Sequence, residues 1–277
     1  MQRSKIIRLS AKLGALALVV AALVAWVKPP STTPTREDGR QLVWADEFDY
    51  EGLPDSARWS YDVGSWGWGN NELQSYTAAR PQNARVTDGK LIIQAHRERF
   101  DSMDYTSARL VTRGRSDWAY GYVEARAKLP TGLGTWPAIW MLGSNIGEAG
   151  WPACGEIDIM EHVGYAPDSV YGTIHCPAFN HMLGTQVDKA LALPDAENEF
   201  HTYAVDWDAS RIDFLVDDSV YHTFQRPDSA TVAHWPFDST HYLLMNLAVG
   251  GNWGGKHGVD TTIWPQQMEV DWVRVWQ

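Results

Sequence analysis

Apolar and polar residues alternate with a period of two along most of the chain from residue 41 onward. Such alternation is typical of β-strands with one face in a core, and Gly, Pro, Asp or Asn at nearly every boundary indicates turns. The clearest predicted strands are residues 90–96, 108–113, 120–129, 170–175, 201–207, 211–216, 242–249 and 268–276. Many short strands predict an all-β protein, an antiparallel β-sandwich whose two sheets can offer one curved face.

The first residues follow a different pattern. Basic residues up to Lys12 precede an apolar run at residues 13–27, and a Pro- and Ser/Thr-rich stretch comes next. This run is short for a membrane span and suits the core of a secretory signal. We expect residues 1–30 to be a signal peptide or an uncleaved signal anchor and residues 31–40 a flexible linker. The protein would then be secreted or periplasmic, or membrane-anchored if the segment stays uncleaved.

The charge of the chain after residue 28 limits the kinds of partner that it can bind. The formal net charge of the 277 residues is −11, but residues 1–28 hold five basic residues and no acidic one, which leaves 18 basic against 34 acidic residues, or −16, in the rest. Such an acidic surface argues against nucleic acid and anionic membrane as partners, and favours a neutral or cationic ligand. The sequence contains no internal repeat, and we expect one domain over residues 41–277 that acts as a monomer.

Three acidic residues, Glu156, Asp158 and Glu161, lie in the stretch WPACGEIDIMEHVG at residues 151–164. Strict alternation puts the first two on one face of a strand and would put Met160 beside them. A β-bulge supplies the extra residue that brings Glu161 to the same face, and bulges are common beside active sites. Like charges on one face oppose folding unless something compensates, so the row predicts a catalytic or a metal site.

Glycoside hydrolysis with retention is one chemistry that such a row can perform. It needs two carboxyl groups about 5 to 5.5 Å apart, one as nucleophile and one as acid and then base. The Cα atoms of Glu156 and Glu161 would be roughly 13 Å apart on a flat strand, so the pair requires a concave sheet. Asp158 could hydrogen-bond the nucleophile and hold a proton when neighbouring charges require it.

The run Glu-Ile-Asp-Ile-Met-Glu-His-Val-Gly closely resembles the catalytic strand of glycoside hydrolase family 16, in its bulged, laminarinase-like branch. The resemblance implies a concanavalin-like β-jelly roll with a concave substrate cleft. It makes Glu156 the nucleophile, Asp158 its assisting carboxylate and Glu161 the general acid/base. We expect repulsion from the first two, together with burial, to raise the pKa of Glu161 and leave Glu156 ionised.

The ends of the domain also resemble this family. Residues 43–49, VWADEFD, are similar to its opening strand, and residues 270–276, VDWVRVW, are similar to its closing strand. The two matches set the limits of the catalytic domain near residues 41 and 277.

Loops rich in aromatic and amide side chains resemble the borders of the family's cleft, above all residues 65–77, SWGWGNNELQSYT. Aromatic rings cover the apolar face of a sugar, and amides hydrogen-bond its hydroxyl groups. The residues that we expect to bind substrate on this basis are Asn70, Asn71, Glu72, Arg85, Trp136, Trp140, Trp151, His175, Asn252 and Trp253. The alternatives are solvated polar loops, tryptophans that fill the core, and a satisfied interior His175.

The sequence leaves two further questions open, a calcium site and the state of the two cysteines. Family members often hold calcium on the convex side through backbone oxygens and one Asp, and Glu47, Gly89 and Asp271 match those places. The alternative is an Asp paired with a nearby Arg. Cys154 and Cys176 would fall nearly opposite each other on adjacent strands, either as a disulfide, which export would permit, or as two buried thiols.

The leading hypothesis is an exported, endo-acting β-1,3-glucanase (laminarinase) that acts on a polysaccharide by retaining double displacement and needs no cofactor for catalysis. Mixed-linkage β-1,3-1,4-glucan and galactans are alternative substrates within the same family. A non-catalytic β-glucan-binding protein is a second class, although such relatives typically lose the catalytic acids. A third is a metal-dependent hydrolase with Glu156, Asp158, Glu161 and His175 as ligands.

Overall fold

Seventeen strands and the turns and loops between them make up residues 34–277, which are the residues that this computed structural model describes. The strands are β1 (Leu42–Asp46), β2 (Ser60–Tyr61), β3 (Gln74–Tyr76), β4 (Ala84–Thr87), β5 (Lys90–Phe100), β6 (Met103–Ser107), β7 (Arg109–Val111), β8 (Gly121–Lys128), β9 (Thr135–Gly143), β10 (Glu156–Glu161), β11 (Ser169–His175), β12 (Val187–Ala192), β13 (His201–Trp207), β14 (Arg211–Val216), β15 (Ser219–Gln225), β16 (His241–Val249) and β17 (Gln266–Trp276). Helical structure within the described range is limited to a 3₁₀ turn at Gly67–Gly69 and one α-helical turn, α1, at Ile146–Ala149. No helix in this part of the chain has the length and apolar character needed to cross a membrane.

The strands form two sheets that enclose one main core. The larger sheet has ten strands in the order β15-β14-β13-β8-β17-β5-β6-β3, with β1 paired to β17 and β4 to β5. The smaller sheet has seven strands in the order β12-β11-β10-β9-β16-β7-β2. All strand pairs are antiparallel except β3 with β6. Side chains from both sheets share the core, which confirms the predicted antiparallel sandwich.

Hydrophobic alternation located the buried strands well and the exposed ones poorly. The predicted limits of β13 and β14 agree with the structure, and β5 runs four residues beyond residue 96 to Phe100. Strands β12 and β15 were not predicted from the sequence, and their residues are mostly exposed or half-buried. Strands at the edges of the sheets bury little apolar surface, so their sequences carry little alternation.

The predicted signal or anchor at residues 1–30 and the first residues of the predicted linker lie outside the described range. The compact unit that contains the sandwich begins at Pro34, earlier than residue 41. The guanidinium of Arg36 lies 3.6 Å from the ring centre of Tyr122 and forms an ion pair with the buried Glu124. Arg40 donates a hydrogen bond to Asp206. Residues 34–40 are therefore held against the larger sheet.

The two cysteines are free, buried thiols, which is the second of the two alternatives. Glu156 pairs with His175 across β10 and β11, and this register places Cys176 opposite Gly155 rather than opposite Cys154. Neighbouring residues of a strand point to opposite faces, so an offset of one residue sends the two thiols to opposite sides of the sheet. They belong to different apolar clusters, and the predicted disulfide is absent.

On the larger sheet, the side chains matched to a calcium site are paired with arginines. Arg274 donates two hydrogen bonds of 2.8 Å to Glu47, and Arg126 donates one to Asp271. The carboxylate of Asp271, the one side-chain ligand in that set, would have to leave its arginine to bind an ion. The side chains thus follow the alternative interpretation, and calcium binding near Gly89 stays a prediction on which no catalytic step depends.

A second charged cluster on the same sheet stabilises the pairing of β5, β8 and β17. Lys90 and Lys128 lie 2.9 and 3.0 Å from the two carboxylate oxygens of Glu269. These cations hold the pKa of Glu269 at about 2, well below its usual range, although burial of the carboxylate acts in the opposite direction.

Candidate active site

A bulge in β10 brings three carboxylates to the same face of the smaller sheet. Asp158 pairs with Thr173 and Glu161 pairs with Tyr171, so β10 advances by three residues over a distance in which β11 advances by two. Ile159 and Met160 both point into the core and are fully buried. The bulge predicted from the Glu-x-Asp-x-x-Glu spacing is confirmed.

Each glutamate of this row accepts a hydrogen bond from an indole. Trp151 Nε1 donates to Glu156 Oε2 and Trp136 Nε1 donates to Glu161 Oε1, each over 3.0 Å. Asp158 lies between the two glutamates and is almost fully buried. His175 Nε2 is 3.4 Å from Asp158 Oδ2 and 3.8 Å from Glu156 Oε1. The row is thus enclosed by two tryptophans and a histidine.

Burial raises the pKa of all three carboxyl groups above their usual range. In the case of Asp158, the charges of Glu156 and Glu161 add to this effect. The three groups lose their protons as a coupled set, because each charge makes the next ionisation harder. The arrangement therefore favours a site with fewer than three negative charges near neutral pH.

The surroundings of the two glutamates differ in charge. Arg109 lowers the pKa of Glu156, whereas Asp188 raises that of Glu161. The positive group favours an ionised Glu156 and the negative group favours a protonated Glu161. The raised pKa of Glu161 agrees with the expectation from sequence, although its main causes are burial and Asp188 rather than the two nearest carboxylates. The expectation that the site leaves Glu156 ionised is not met, because burial and the charge of Glu161 outweigh Trp151 and Arg109 and raise its pKa as well.

The carboxylates lie in a cleft of about 1080 Å³ that runs across the smaller sheet. Six neighbouring strands line it in the spatial order β12, β11, β10, β9, β16 and β7, which corresponds to a width of about 24 Å at 4.8 Å per strand. Strand β10 lies inside this row, with two strands on one side and three on the other. The cleft therefore has room for a chain ligand on both sides of the carboxylates.

Most of the substrate-binding residues predicted from sequence do line this cleft. They are Asn70, Glu72, Trp136, Trp140, Trp151, His175, Asn252 and Trp253. Asn71 is exposed, does not line the cleft and donates a 2.8 Å hydrogen bond to Asn252 Oδ1. Its position connects two cleft-edge loops.

The prediction for Arg85 is wrong. Arg85 belongs to β4, which pairs with β5 in the larger sheet, away from the carboxylates. Its guanidinium donates hydrogen bonds to Gln94 Oε1 and Pro81 O, and the residue does not line the cleft. Closeness in sequence to the loop at residues 65–77 was misleading, because the chain crosses to the other sheet between that loop and β4.

Several residues that line the cleft were not predicted from the sequence. Arg109 lies between the rings of Trp68 and Trp140, with its guanidinium 4.8 and 4.7 Å from their centres. Asn246 accepts a 2.8 Å hydrogen bond from Trp140 Nε1. His181 lies at the rim, with its ring centre 5.0 Å from that of Trp151. A charged residue inside a predicted strand was the available signal for Arg109.

Glu72 is a fourth buried carboxylate in the cleft wall. Gln74 and Asn70 donate hydrogen bonds of 2.6 and 3.3 Å to its two oxygens, and the Tyr76 hydroxyl contacts it as well. Burial raises the pKa of Glu72, while these donors and Arg109 lower it. The network holds the loop at residues 65–77 against the sheet and fixes the edge of the cleft.

Comparison with known proteins identifies the family. The family model described as "Glycosyl hydrolases family 16" matches residues 69–274 of this chain. The chain is 55% identical over 243 residues to a beta-glucanase of Rhodothermus marinus, covering 86% of this chain and 85% of that one. It is 39% identical over 254 residues to a glucan endo-1,3-beta-glucosidase of Cryptopygus antarcticus, covering 85% and 91%.

Solved structures agree with these sequence comparisons. The laminarinase from Rhodothermus marinus superposes with a TM-score of 0.84 at 55% identity and covers 86% of this chain and 97% of its own. SCLam, a non-specific endo-beta-1,3(4)-glucanase, superposes with a TM-score of 0.83 at 47% identity and covers 90% and 94%. Fold, carboxylate row and sequence agree, and the chain belongs to family 16 of the glycosyl hydrolases.

Proposed function

We propose that this protein is an endo-1,3-β-glucanase that cleaves internal bonds of β-glucan with retention at the anomeric carbon. Relatives named beta-glucanase, glucan endo-1,3-beta-glucosidase and laminarinase support the reaction. The observation that carries the mechanism is the bulged row of Glu156, Asp158 and Glu161 in the floor of the cleft.

In the first step, Glu161 gives its proton to the glycosidic oxygen while the carboxylate of Glu156 attacks the anomeric carbon. The carbon–oxygen bond breaks, the aglycone leaves with that proton, and a glycosyl ester forms on Glu156. Burial and the charge of Glu161 raise the pKa of Glu156, whereas the indole of Trp151 and the positive charge of Arg109 favour the carboxylate that attacks. Burial and Asp188 raise the pKa of Glu161 and so favour the proton that it donates.

In the second step, Glu161 accepts a proton from water, and the water oxygen attacks the anomeric carbon and releases Glu156. Asp158 keeps its proton through the cycle, because burial and both neighbouring charges oppose its ionisation. A neutral Asp158 limits repulsion when Glu156 becomes charged again. His175, whose pKa burial lowers to about 3, stays a neutral imidazole beside both groups.

Internal cleavage follows from the position of the row within the cleft. Aromatic residues lie on both sides of the carboxylates, with Trp140 of β9 and Trp68 on one side and Tyr171 of β11 on the other. Stacking on both sides of β10 stabilises a bound chain that continues past the cleaved bond in each direction. We expect oligosaccharides rather than single glucose units as the first products.

Product analysis tests this function. The purified protein is incubated with laminarin, and the products are separated by chromatography. We expect short oligosaccharides from the native protein and at least about 1000-fold less from Glu156→Gln, because an amide of the same shape cannot form the ester. The matched control is Glu199→Gln, at an exposed position outside the cleft, and it should keep full activity. Turnover by folded Glu156→Gln at the native rate would exclude Glu156 as the nucleophile.

Mixed-linkage glucan is a second candidate substrate. The similarity to SCLam, a non-specific endo-beta-1,3(4)-glucanase, favours it. The same incubation with barley β-glucan separates the two possibilities. Comparable rates on both polymers indicate a non-specific enzyme, whereas a rate on laminarin at least about tenfold higher indicates β-1,3 preference.

Export of this domain is part of the proposal and rests on the basic and apolar composition of residues 1–28. The test is expression of the full chain followed by cell fractionation and N-terminal sequencing. A mature protein that starts near residue 30 in the exported fraction supports a cleaved signal. An intact N-terminus in the membrane fraction supports an anchor, and full-length protein that stays in the cytosol contradicts export.

A further inference from the structure

Glu156, Asp158 and His175 have the spacing of metal ligands. One side-chain ligand atom from each residue lies within 4.8 Å of the other two, and no other group of three or more His, Cys, Asp or Glu residues in the described part of the chain meets this condition. Two carboxylates and one imidazole form a donor set that borderline divalent ions such as Zn²⁺ bind in proteins. Retaining hydrolysis needs no ion, so the spacing has a separate consequence.

Two buried atoms in this group have no hydrogen-bond partner. They are Asp158 Oδ2 and His175 Nδ1, in residues that are 3% and 6% exposed. Buried polar atoms are normally paired, and unpaired ones call for an explanation. Asp158 Oδ2 faces His175 Nε2 across 3.4 Å. With its proton on Nδ1, the neutral imidazole presents the lone pair of Nε2 toward both carboxylates.

The distances from His175 to the two carboxylates come close to those around a small ion. A tetrahedral ion with bonds of about 2.0 to 2.2 Å holds its ligand atoms about 3.3 to 3.6 Å apart. His175 Nε2 is 3.4 Å from Asp158 Oδ2 and 3.8 Å from Glu156 Oε1. Glu156 Oε1 is free to approach an ion, because Oε2 accepts the bond from Trp151. A fourth position faces the cleft, where a water molecule can enter.

We propose that the catalytic row is an inhibitory site for Zn²⁺ and similar divalent ions, with Glu156, Asp158 and His175 as ligands. Binding occupies the lone pairs with which Glu156 attacks sugar. The ion thus competes with substrate and stops the first step. Hard ions such as Mg²⁺ and Ca²⁺ prefer six or more oxygen ligands and are expected to bind far more weakly.

Calorimetric titration of the purified protein with ZnCl₂ tests the site without any reference to activity. We expect one ion per chain, and an at least about 100-fold weaker dissociation constant in His175→Gln and Glu156→Gln, since even an outer-shell change typically costs 10 to 100-fold. His96→Gln is the matched control, because His96 lies on β5 of the larger sheet. Titration with Co²⁺ should produce visible absorption typical of a four-coordinate site in the native protein and not in the two variants.

A second control excludes the thiols, which also bind Zn²⁺. Cys154→Ser and Cys176→Ser should bind Zn²⁺ as the native protein does, because both thiols are buried and burial raises their pKa. Native affinity in both His175→Gln and Glu156→Gln, or loss of binding in a Cys→Ser variant, overturns the site. In kinetics with laminarin, which rest on the proposed function, Zn²⁺ should raise KM and leave kcat unchanged. Inhibition that lowers kcat alone contradicts the proposed competition.

Discussion

The two indole donors make the assignment of nucleophile and acid testable by pH. In Trp151→Phe, Glu156 loses the 3.0 Å hydrogen bond that stabilises its charged form. A hydrogen bond to a charged group contributes about 1.5 to 3 kcal/mol, and 1.36 kcal/mol corresponds to one pKa unit. The pKa of Glu156 should therefore rise by about 1 to 2 units. Trp151 is only half-buried, so the smaller ring should change stability little.

The assay is the pH profile of kcat/KM, which reports the ionisations of the free enzyme. A nucleophile must be ionised, so a higher pKa of Glu156 moves the acidic limb of the profile to higher pH. Trp136→Phe is the matched variant, because it removes the equivalent bond to Glu161. The general acid must be protonated, so this second change should move the basic limb upward. Movement of the opposite limb in each variant would show that the two glutamates have exchanged roles.

Three further predictions concern stability and substrate binding. Arg36→Ala should lower the free energy of unfolding by about 1 to 3 kcal/mol in urea titrations, because Glu124 stays buried without its cation; an unchanged midpoint would contradict a role for residues 34–40 in the fold. Glu269→Gln should lower the free energy of unfolding by about 1 to 2 kcal/mol at pH 7 and by much less below pH 2. The depressed pKa of Glu269 gives stability that is present above about pH 4.5 and is lost as the pH falls through about 2. An equal loss of stability at both pH values would refute this. Trp66→Ala should raise KM for laminarin several-fold without a change in thermal midpoint, because Trp66 is exposed and its ring packs at 4.5 Å from that of Trp68 in the cleft. An unchanged KM would show that this ring does not contact the polymer.

The bulge and the shared face of the three carboxylates depend on local geometry, and the local sequence was enough to predict them. The spacing of Glu156, Asp158 and Glu161 determines on which face each side chain lies, and the bulge followed from that spacing alone. The cysteines show the limit of such reasoning. Their approximate positions on adjacent strands were correct, but a shift of one residue in register reverses the face to which each side chain points.

Contacts between distant segments were not accessible from the sequence. Arg109 reaches the cleft because β7 pairs with β16, whose residues come more than a hundred positions later. The order of strands in the smaller sheet therefore decides which charge acts on Glu156. The prediction for Arg85 was wrong for the same reason, because the loop that precedes it in sequence lies in the cleft while its own strand, β4, joins the other sheet.

The bulge has a consequence for how such an enzyme can diversify. Ile159 and Met160 hold the spacing between nucleophile and acid from the core side of the sheet, where neither residue touches the polymer. Residues on the cleft side, including Trp66, Asn252 and Trp253, can change without altering that spacing. Loop residues at the edge of the cleft can thus change substrate preference, while core packing behind β10 preserves the spacing of the carboxylates.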